Sequence, residues 1–296
     1  MTVQTVGLLS PGDMGHTIGA VLRQHGLRVV TCLEGRSERT RALAAEVGFE
    51  DVPDLEMLVR QAEMVLCVLV PSEASGVARR VAAAVAATRA DLLYVDCNAI
   101  APQTVRTIGA MLTEAGARVA DVGIIGGPPK QPGTRFYASG PGAREFAALS
   151  DFGLETRVLD GDIGQASGLK MCYGALTKGL QALGTELLLA AKLMGLDDTL
   201  RAEQTESAPD VLAWLQRAVP TMPPKAYRWV GEMEEIAATF EHLGMTPRIL
   251  QGAADLYRFI AETPIGRESP ENRDRSRDLD GVVDALADAL REHPEE

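Results

Sequence analysis

The chain has 296 residues, 46% hydrophobic and 24% charged, which is enough for two ordinary domains around apolar cores. Its 41 acidic against 29 basic residues leave a net charge of −12. That balance argues against nucleic acid or an anionic membrane as the main partner, while backbone N–H groups and a few local arginines still suffice for an anionic cofactor.

Val3–Leu9 reads as a buried strand feeding a glycine turn and a helix. A dinucleotide turn of this kind wants glycine at its first, third and sixth positions, and here they are Ser10, Gly12 and Gly15. The turn Ser10-Pro11-Gly12-Asp13-Met14-Gly15 would bring the N–H groups of a helix N-terminus to a pyrophosphate. The second strand, Leu27–Leu33, runs into Glu34-Gly35-Arg36-Ser37. Glu34 would accept hydrogen bonds from the ribose 2′-OH of NAD, whereas Arg36, Ser37 and Arg39 would take the 2′-phosphate of NADP. Forked phosphate contacts are what arginine does best, so NADP is the expected cofactor and NAD the alternative; solvated loop charge is the plain competing explanation.

Met64–Val70 is an all-apolar run typical of a central parallel strand, ending at Pro71-Ser72. Asp91–Asp96 ends in Cys97-Asn98, and Arg118–Ile125 ends in Gly126-Gly127-Pro128-Pro129. Thr134–Ser139 and Glu155–Leu159 read as closing strands. In a doubly wound sheet these tips open on the carboxyl edge, placing Val70, Pro71 and Asn98 beside a cofactor, with Ser72 and Gly126-Gly127 on the same edge. Three of the four cysteines (Cys32, Cys67, Cys97) lie in or beside strands, so buried free thiols are expected, and no metal site.

The stretch Gly161–Gly195 carries apolar residues at helical spacing and no proline, which predicts one long helix of about 45 Å joining two domains. Lys170 sits about two turns from its start, on a face with the small residues Ala166, Gly168 and Gly174. Lysine's ordinary pKa of about 10.4 is too high for proton exchange at neutral pH, and partial burial is what brings it into range. A surface lysine on a long helix is the bland alternative; Lys178, two turns on, reads as an ordinary helix charge.

Beyond Gly195 only helical patterns appear. Asp197 or Asp198 caps one, Ser207 with Pro209 starts another through Val219, Pro223–Gly244 forms a third, and Thr246-Pro247 opens a fourth through Ala261. Arg228 and Glu232 fall one turn apart beside Tyr227 and Trp229, either lining a substrate pocket or forming a surface pair beside a core tryptophan. Arg267–Arg277 reads as a charged linker before a short amphipathic helix. His16, His25 and His242 are isolated residues of turns or surface. The expected architecture is α/β: a Rossmann-type, doubly wound parallel sheet over residues 1–162, followed by an all-helical domain over 163–296. With no signal-peptide pattern, and an apolar run at Leu187–Met194 too short for a bilayer, a cytoplasmic protein is expected.

These landmarks resemble the β-hydroxyacid dehydrogenase superfamily, which includes 3-hydroxyisobutyrate and 6-phosphogluconate dehydrogenases, and within it the branch with a phosphogluconate-dehydrogenase-like C-terminal domain. The resemblance rests on Gly7-Leu8-Leu9-Ser10-Pro11-Gly12-Asp13-Met14-Gly15, Pro71-Ser72, Asp96–Pro102, Gly126-Gly127, and Lys170 six residues after Gly164. It covers about the first 195 residues. It implies an NAD(P)-dependent oxidoreductase acting on a small hydroxy acid or its keto form, with Lys170 as general acid/base and a homodimer through the helical domain. Two positions depart from the family's pattern. Ile125 stands where a serine would hold the substrate carboxylate, and Gly174, next to Tyr173, where an asparagine would follow the lysine. Ile125, Gly126, Gly127, Tyr173, Gly174, Trp229 and Glu232 are therefore expected around the substrate, in a pocket rebuilt relative to the family. An imine reductase of the same architecture and a dinucleotide sensor without catalysis are the rival expectations; a lysine speaks against the first, the lost polar contacts for the second.

Overall fold

The computed structural model describes residues 3–129 and 133–292. Strands β1 (Thr5–Leu9), β2 (Arg28–Thr31), β3 (Glu50–Asp51), β4 (Met64–Cys67), β5 (Leu93–Asp96), β6 (Arg118–Ile125), β7 (Arg135–Ser139) and β8 (Glu155–Val158) form one sheet, in the order β3-β2-β1-β4-β5-β6-β7-β8. Helices α1 (Asp13–Gln24), α2 (Glu38–Glu46), α3 (Leu55–Gln61), α4 (Pro71–Thr88), α5 (Pro102–Glu114) and α6 (Ala143–Ala147) connect these strands. Strands β1, β4 and β5 are buried along their whole length, because helices cover both faces; this is why their sequences are apolar but for Thr5 and Asp96 at strand ends. Every pairing is parallel except β6 with β7, where a short connection after Gly126-Gly127 allows only a hairpin-like return.

Several strands are shorter than the apolar runs suggested. Met64–Val70 is strand only to Cys67, since Val70 turns out of the sheet as the N-cap of α4. The two-residue β3, Glu50–Asp51, carries no apolar signal at all.

The predicted long helix is interrupted. It runs as α7 (Gln165–Gly174), a π-helical stretch (Ala175–Gly179) and α8 (Leu180–Leu193). Two compact units divide within it, residues 1–173 and 174–296. The second unit adds α9 (Asp197–Ser207), α10 (Pro209–Ala218), α11 (Ala226–His242), α12 (Arg248–Glu262) and α13 (Leu279–Glu292), with no strand among the described residues. Its cap predictions need correction. Leu196 precedes α9 and Asp197 lies in the first turn, held by Lys192 at 3.0 Å; Ser207 ends α9, donating to the Glu203 carbonyl at 2.9 Å, and Ala208 is the N-cap of α10. The charged Arg267–Arg277 segment is a series of turns pinned by the Arg277–Glu268 ion pair at 2.8 Å. Among the described residues, no helix is long and apolar enough to cross a membrane, and no group of three or more His, Cys, Asp or Glu is placed to hold a metal.

Candidate active site

Three helices of the first unit begin where a strand ends at the carboxyl edge: α1 after β1, α4 after β4, α5 after β5. Each has an N-cap without a side-chain hydrogen bond (Gly12, Val70 and Ala101), whereas α2 and α3 are capped by Ser37 and Asp54. No side chain caps these three N-termini, and their positive ends face the carboxyl edge, where an anion would sit. Ser10 has the left-handed φ of 61° and Gly12 donates to its carbonyl at 2.7 Å, so the chain doubles back as α1 starts. A Cβ on Gly15 would sit 2.7 Å from that carbonyl, while one on Gly12 would meet nothing within 4 Å. Gly15 serves the tight turn and Gly12 leaves open space, which is a cradle of the kind a pyrophosphate needs. Asp13, an acidic residue in that first turn, is neutralised by an ion pair with Arg39. The residues present thus fit a dinucleotide.

The loop after β2 divides its labour. Ser37 caps α2, accepting from the Thr40 N–H at 3.2 Å, and Glu34 is exposed with Arg80 at 3.8 Å. Arg36 is half-buried in the same loop, its carbonyl accepting from the Arg41 Nε at 3.3 Å. Asn98 is buried at the β5 tip; its amide oxygen accepts from the Leu69 N–H at 2.6 Å, tying the β4 and β5 ends together beside Pro71. Behind it lies Asp96, fully buried, whose carboxyl accepts from the Asn98 N–H at 3.0 Å. Burial pushes this carboxyl up to about 7, and the Cys67 thiol up to about 12. Cys32, Cys67 and Cys97 are buried as expected, and Cys172 is exposed.

Lys170 is placed by β6. One face of that strand carries Asp121, Gly123 and Ile125 at alternate positions, and α7 packs on it. Asp121 is fully buried, and its carboxylate accepts from the Ser167 hydroxyl (2.6 Å), the Gly164 N–H (2.8 Å), the Ser167 N–H (3.1 Å) and the Ser139 hydroxyl (3.1 Å). It anchors the N-terminus of α7 to the sheet. A Cβ on Gly123 would run into the Ala166 carbonyl and lie 3.2 Å from the Lys170 Cβ, so glycine there lets the helix touch the strand. Lys170 then reaches along β6, its Nζ donating to the Ile124 carbonyl at 2.5 Å, one residue short of Ile125-Gly126-Gly127. Gly126 has φ 125°, a conformation open to glycine alone, and turns the chain sharply at the strand tip.

The first unit thus brings Ser10–Gly15, Val70, Pro71, Asn98, Ile125, Gly126, Gly127 and Lys170 to one edge of one sheet. Tyr173 is the last residue of that unit and is exposed; Gly174 opens the second unit, where its Cα faces Ile236. Trp229 and Glu232 lie in the second unit, and here Lys178 is no ordinary helix charge. Its ammonium pairs with Glu232 at 2.9 Å, with side chains only 13% and 17% exposed, and stands 5.5 Å from the Trp229 ring. Tyr257 closes the cluster, edge-on to Trp229 at 5.3 Å and donating to the Lys178 carbonyl at 2.7 Å. Of the isolated histidines, His25 and His242 are exposed as expected, but His16 is buried within α1, its ring nitrogen 2.7 Å from the Gly12 carbonyl. Sequence reasoning missed Asp121, Ser139 and Ser167. The available signal was an aspartate inside an otherwise apolar strand, which burial permits only with partners.

A doubly wound, mainly parallel sheet with an uncapped glycine turn at its first crossover, leading into a lysine-bearing helix and a helical unit, defines a Rossmann-type nicotinamide-dependent oxidoreductase architecture. Comparison with known proteins agrees. Residues 5–149 match the NAD binding domain of 6-phosphogluconate dehydrogenase, and residues 191–260 match a domain of unknown function. The chain is 26% identical over 261 residues to an uncharacterized 28.5 kDa protein of Methanothermus fervidus, covering 87% of this chain and 99% of that one. A conserved protein of unknown function, described as structurally similar to 3-hydroxyacid dehydrogenases, superposes with a TM-score of 0.66 at 29% identity, over 87% of this chain and 97% of the other. The 3-hydroxyisobutyrate dehydrogenase of Mycobacterium tuberculosis, solved with L-serine, shares the fold at 18% identity, with a TM-score of 0.69 over 96% and 99% of the two chains. The two domain matches and the 29%-identical structure together support the β-hydroxyacid dehydrogenase superfamily.

Proposed function

We propose that the protein transfers hydride between a nicotinamide cofactor, NADP in preference to NAD, and a small hydroxy acid or its keto form, with Lys170 as the general acid/base. The observation that carries this reading is the lysine's place: anchored through α7 to β6, beside Gly126-Gly127, on the carboxyl edge that also holds the uncapped glycine turn. Ser10–Gly15 would hold the pyrophosphate, Val70, Pro71 and Asn98 would flank the nicotinamide half, and Arg36 with Ser37 would meet a 2′-phosphate. The preference for NADP is supported by Arg36, since Glu34 is turned toward Arg80.

When bound, the nicotinamide supplies the hydride acceptor or donor. In oxidation the unprotonated Lys170 amine takes the hydroxyl proton as the C–H hydride leaves the same carbon; in reduction the ammonium returns that proton to the carbonyl oxygen. A cation here disfavours an iminium substrate, which is itself positive. Leu176, Leu180 and Leu183 are exposed at coiled-coil spacing, which supports a homodimer through the helical domain, and sedimentation would settle it. The function is tested by screening hydroxy acids and cyclic imines with NADPH and NADP across pH. Turnover of hydroxy acids, a lower Kd for NADP than NAD, and loss of that difference in Arg36→Ala support the reading. Turnover of imines alone overturns it.

A further inference from the structure

Where the superfamily's pattern has a serine for the substrate carboxylate, this chain has Ile125, and the sheet itself supplies a replacement. Ile125 and Arg135 are paired across the antiparallel β6–β7 ladder, so their side chains leave the same face of the sheet, about 5 Å apart at the backbone. That face is the one on which α7 packs: Asp121, Gly123 and Ile125 alternate along it, and the cross-strand partner of Asp121, Ser139, donates to the Asp121 carboxylate and accepts from the Ala166 N–H at 3.0 Å. Lys170 starts over Gly123, and Gly123 and Arg135 are diagonal neighbours, about 7–8 Å apart. Arg135 also lies at the correct end, since β7 begins where β6 ends.

Its guanidinium is uncommitted. The Nε is buried without a hydrogen-bond partner, and no carboxylate among the described residues stands within ion-pair distance of it. The one acidic neighbour in register, Glu155 on β8, is taken by Arg157 at 2.5 Å, which in turn donates to the Tyr137 hydroxyl at 3.1 Å. A partly buried arginine with no internal counter-ion, on the face of the lysine and at the mouth of the strand edge, is half of a charge pair.

We infer that Arg135 is the anchor for the substrate's carboxylate, gripping it with its two-pronged guanidinium while the hydroxyl, two or three bonds away, reaches Lys170. The inference rests on the hydroxy-acid reading above and sharpens it. The substrate is a short monoanionic 3-hydroxy acid, and its recognition has moved from a neutral hydroxyl on β6 to a fixed cation on β7. Such a site rejects neutral esters and amides more sharply than a serine would, because without the acid the partly buried guanidinium lacks a counter-ion and its buried Nε a partner.

The test uses the full chain saturated with NADP and two probes, 3-hydroxypropionate and 3-hydroxyisobutyrate, each beside its neutral methyl ester. Dissociation constants come from calorimetric titration, and KM and kcat from NADPH formation. The expected result is that at least one acid binds the parent tenfold or more tightly than its ester. Arg135→Leu then weakens that acid at least tenfold, leaves the ester within threefold, and keeps NADP affinity and melting temperature unchanged. Arg135→Lys, which keeps the charge and loses the fork, falls between and stands in if the leucine variant does not fold. Acid binding unaffected in both variants, or no acid binding the parent better than its ester, overturns the inference. Arg135-dependent binding without turnover leaves this assignment standing and sinks the dehydrogenase reading; turnover of an acid with an unchanged KM in Arg135→Leu does the reverse.

Discussion

Replacing Asp121 by alanine removes the acceptor for four donors, two of which, the N–H groups of Gly164 and Ser167, are fixed by the backbone and cannot turn elsewhere. The site is fully buried, so water does not take over. At about 1–3 kcal/mol for each stranded N–H, plus a small cavity, Asp121→Ala should cost about 5 kcal/mol. Asp121→Asn keeps one oxygen where three donors converge, and the Ser167 hydroxyl can rotate to accept from the new amide. What is lost is the charge on the acceptor, about 2 kcal/mol. Urea denaturation followed by far-UV circular dichroism gives the two costs, and hydrogen exchange over residues 161–170 gives the local one. Exchange at Gly164 and Ser167 should accelerate far more in the alanine variant than elsewhere in the sheet. A cost below about 1 kcal/mol for Asp121→Ala, or equal costs for both variants, would refute the claim that this carboxylate anchors the lysine's helix.

Other outcomes follow from the same structure. Asp96, with its carboxyl raised to about 7 by burial, keeps its proton in the native state at pH values where the unfolded chain has already released it. Stability therefore falls as pH rises from about 4 to about 7, and the parent should lose about 3 kcal/mol more than Asp96→Asn between pH 5 and pH 8; parallel curves would contradict this. Gly123→Ala forces a methyl against the Ala166 carbonyl and should cost about 1–3 kcal/mol, with a larger drop in turnover than in cofactor affinity, measured by steady-state kinetics and NADPH titration. Glu232→Ala strands the Lys178 ammonium and should cost about 3 kcal/mol in chemical denaturation. A Lys178→Met, Glu232→Leu double variant should recover most of that loss.

The central strands were legible because burial on both faces writes itself into the chain as unbroken apolar runs, and the glycine turn because its backbone demands small residues at fixed positions. The reversed β7 was legible only as a strand: direction is set by the length of a connection and by pairing partners, which periodicity does not encode. The π-helical break at Ala175–Gly179 left no mark, since its residues suit an α-helix equally well. At the site, Lys170 could be picked out from its small neighbours and its distance from Gly164. Its anchor could not, because Asp121 is joined to Gly164 and Ser167 by contacts more than forty positions apart. Lys178 was misjudged for a related reason. On a helical wheel it is one charge among many, and only the packing of α11 and α12 turns it inward against Glu232 and Trp229.

The account stands on the proton chemistry of one amine, and kinetics of Lys170→Ala beside the parent tests it most directly. With whichever hydroxy acid the parent oxidises, the variant should lose about 10²–10⁴ in kcat while its NADPH dissociation constant and melting temperature stay where they were. A variant that turns the same acid over within a few-fold of the parent would place the proton transfer elsewhere and contradict the mechanism.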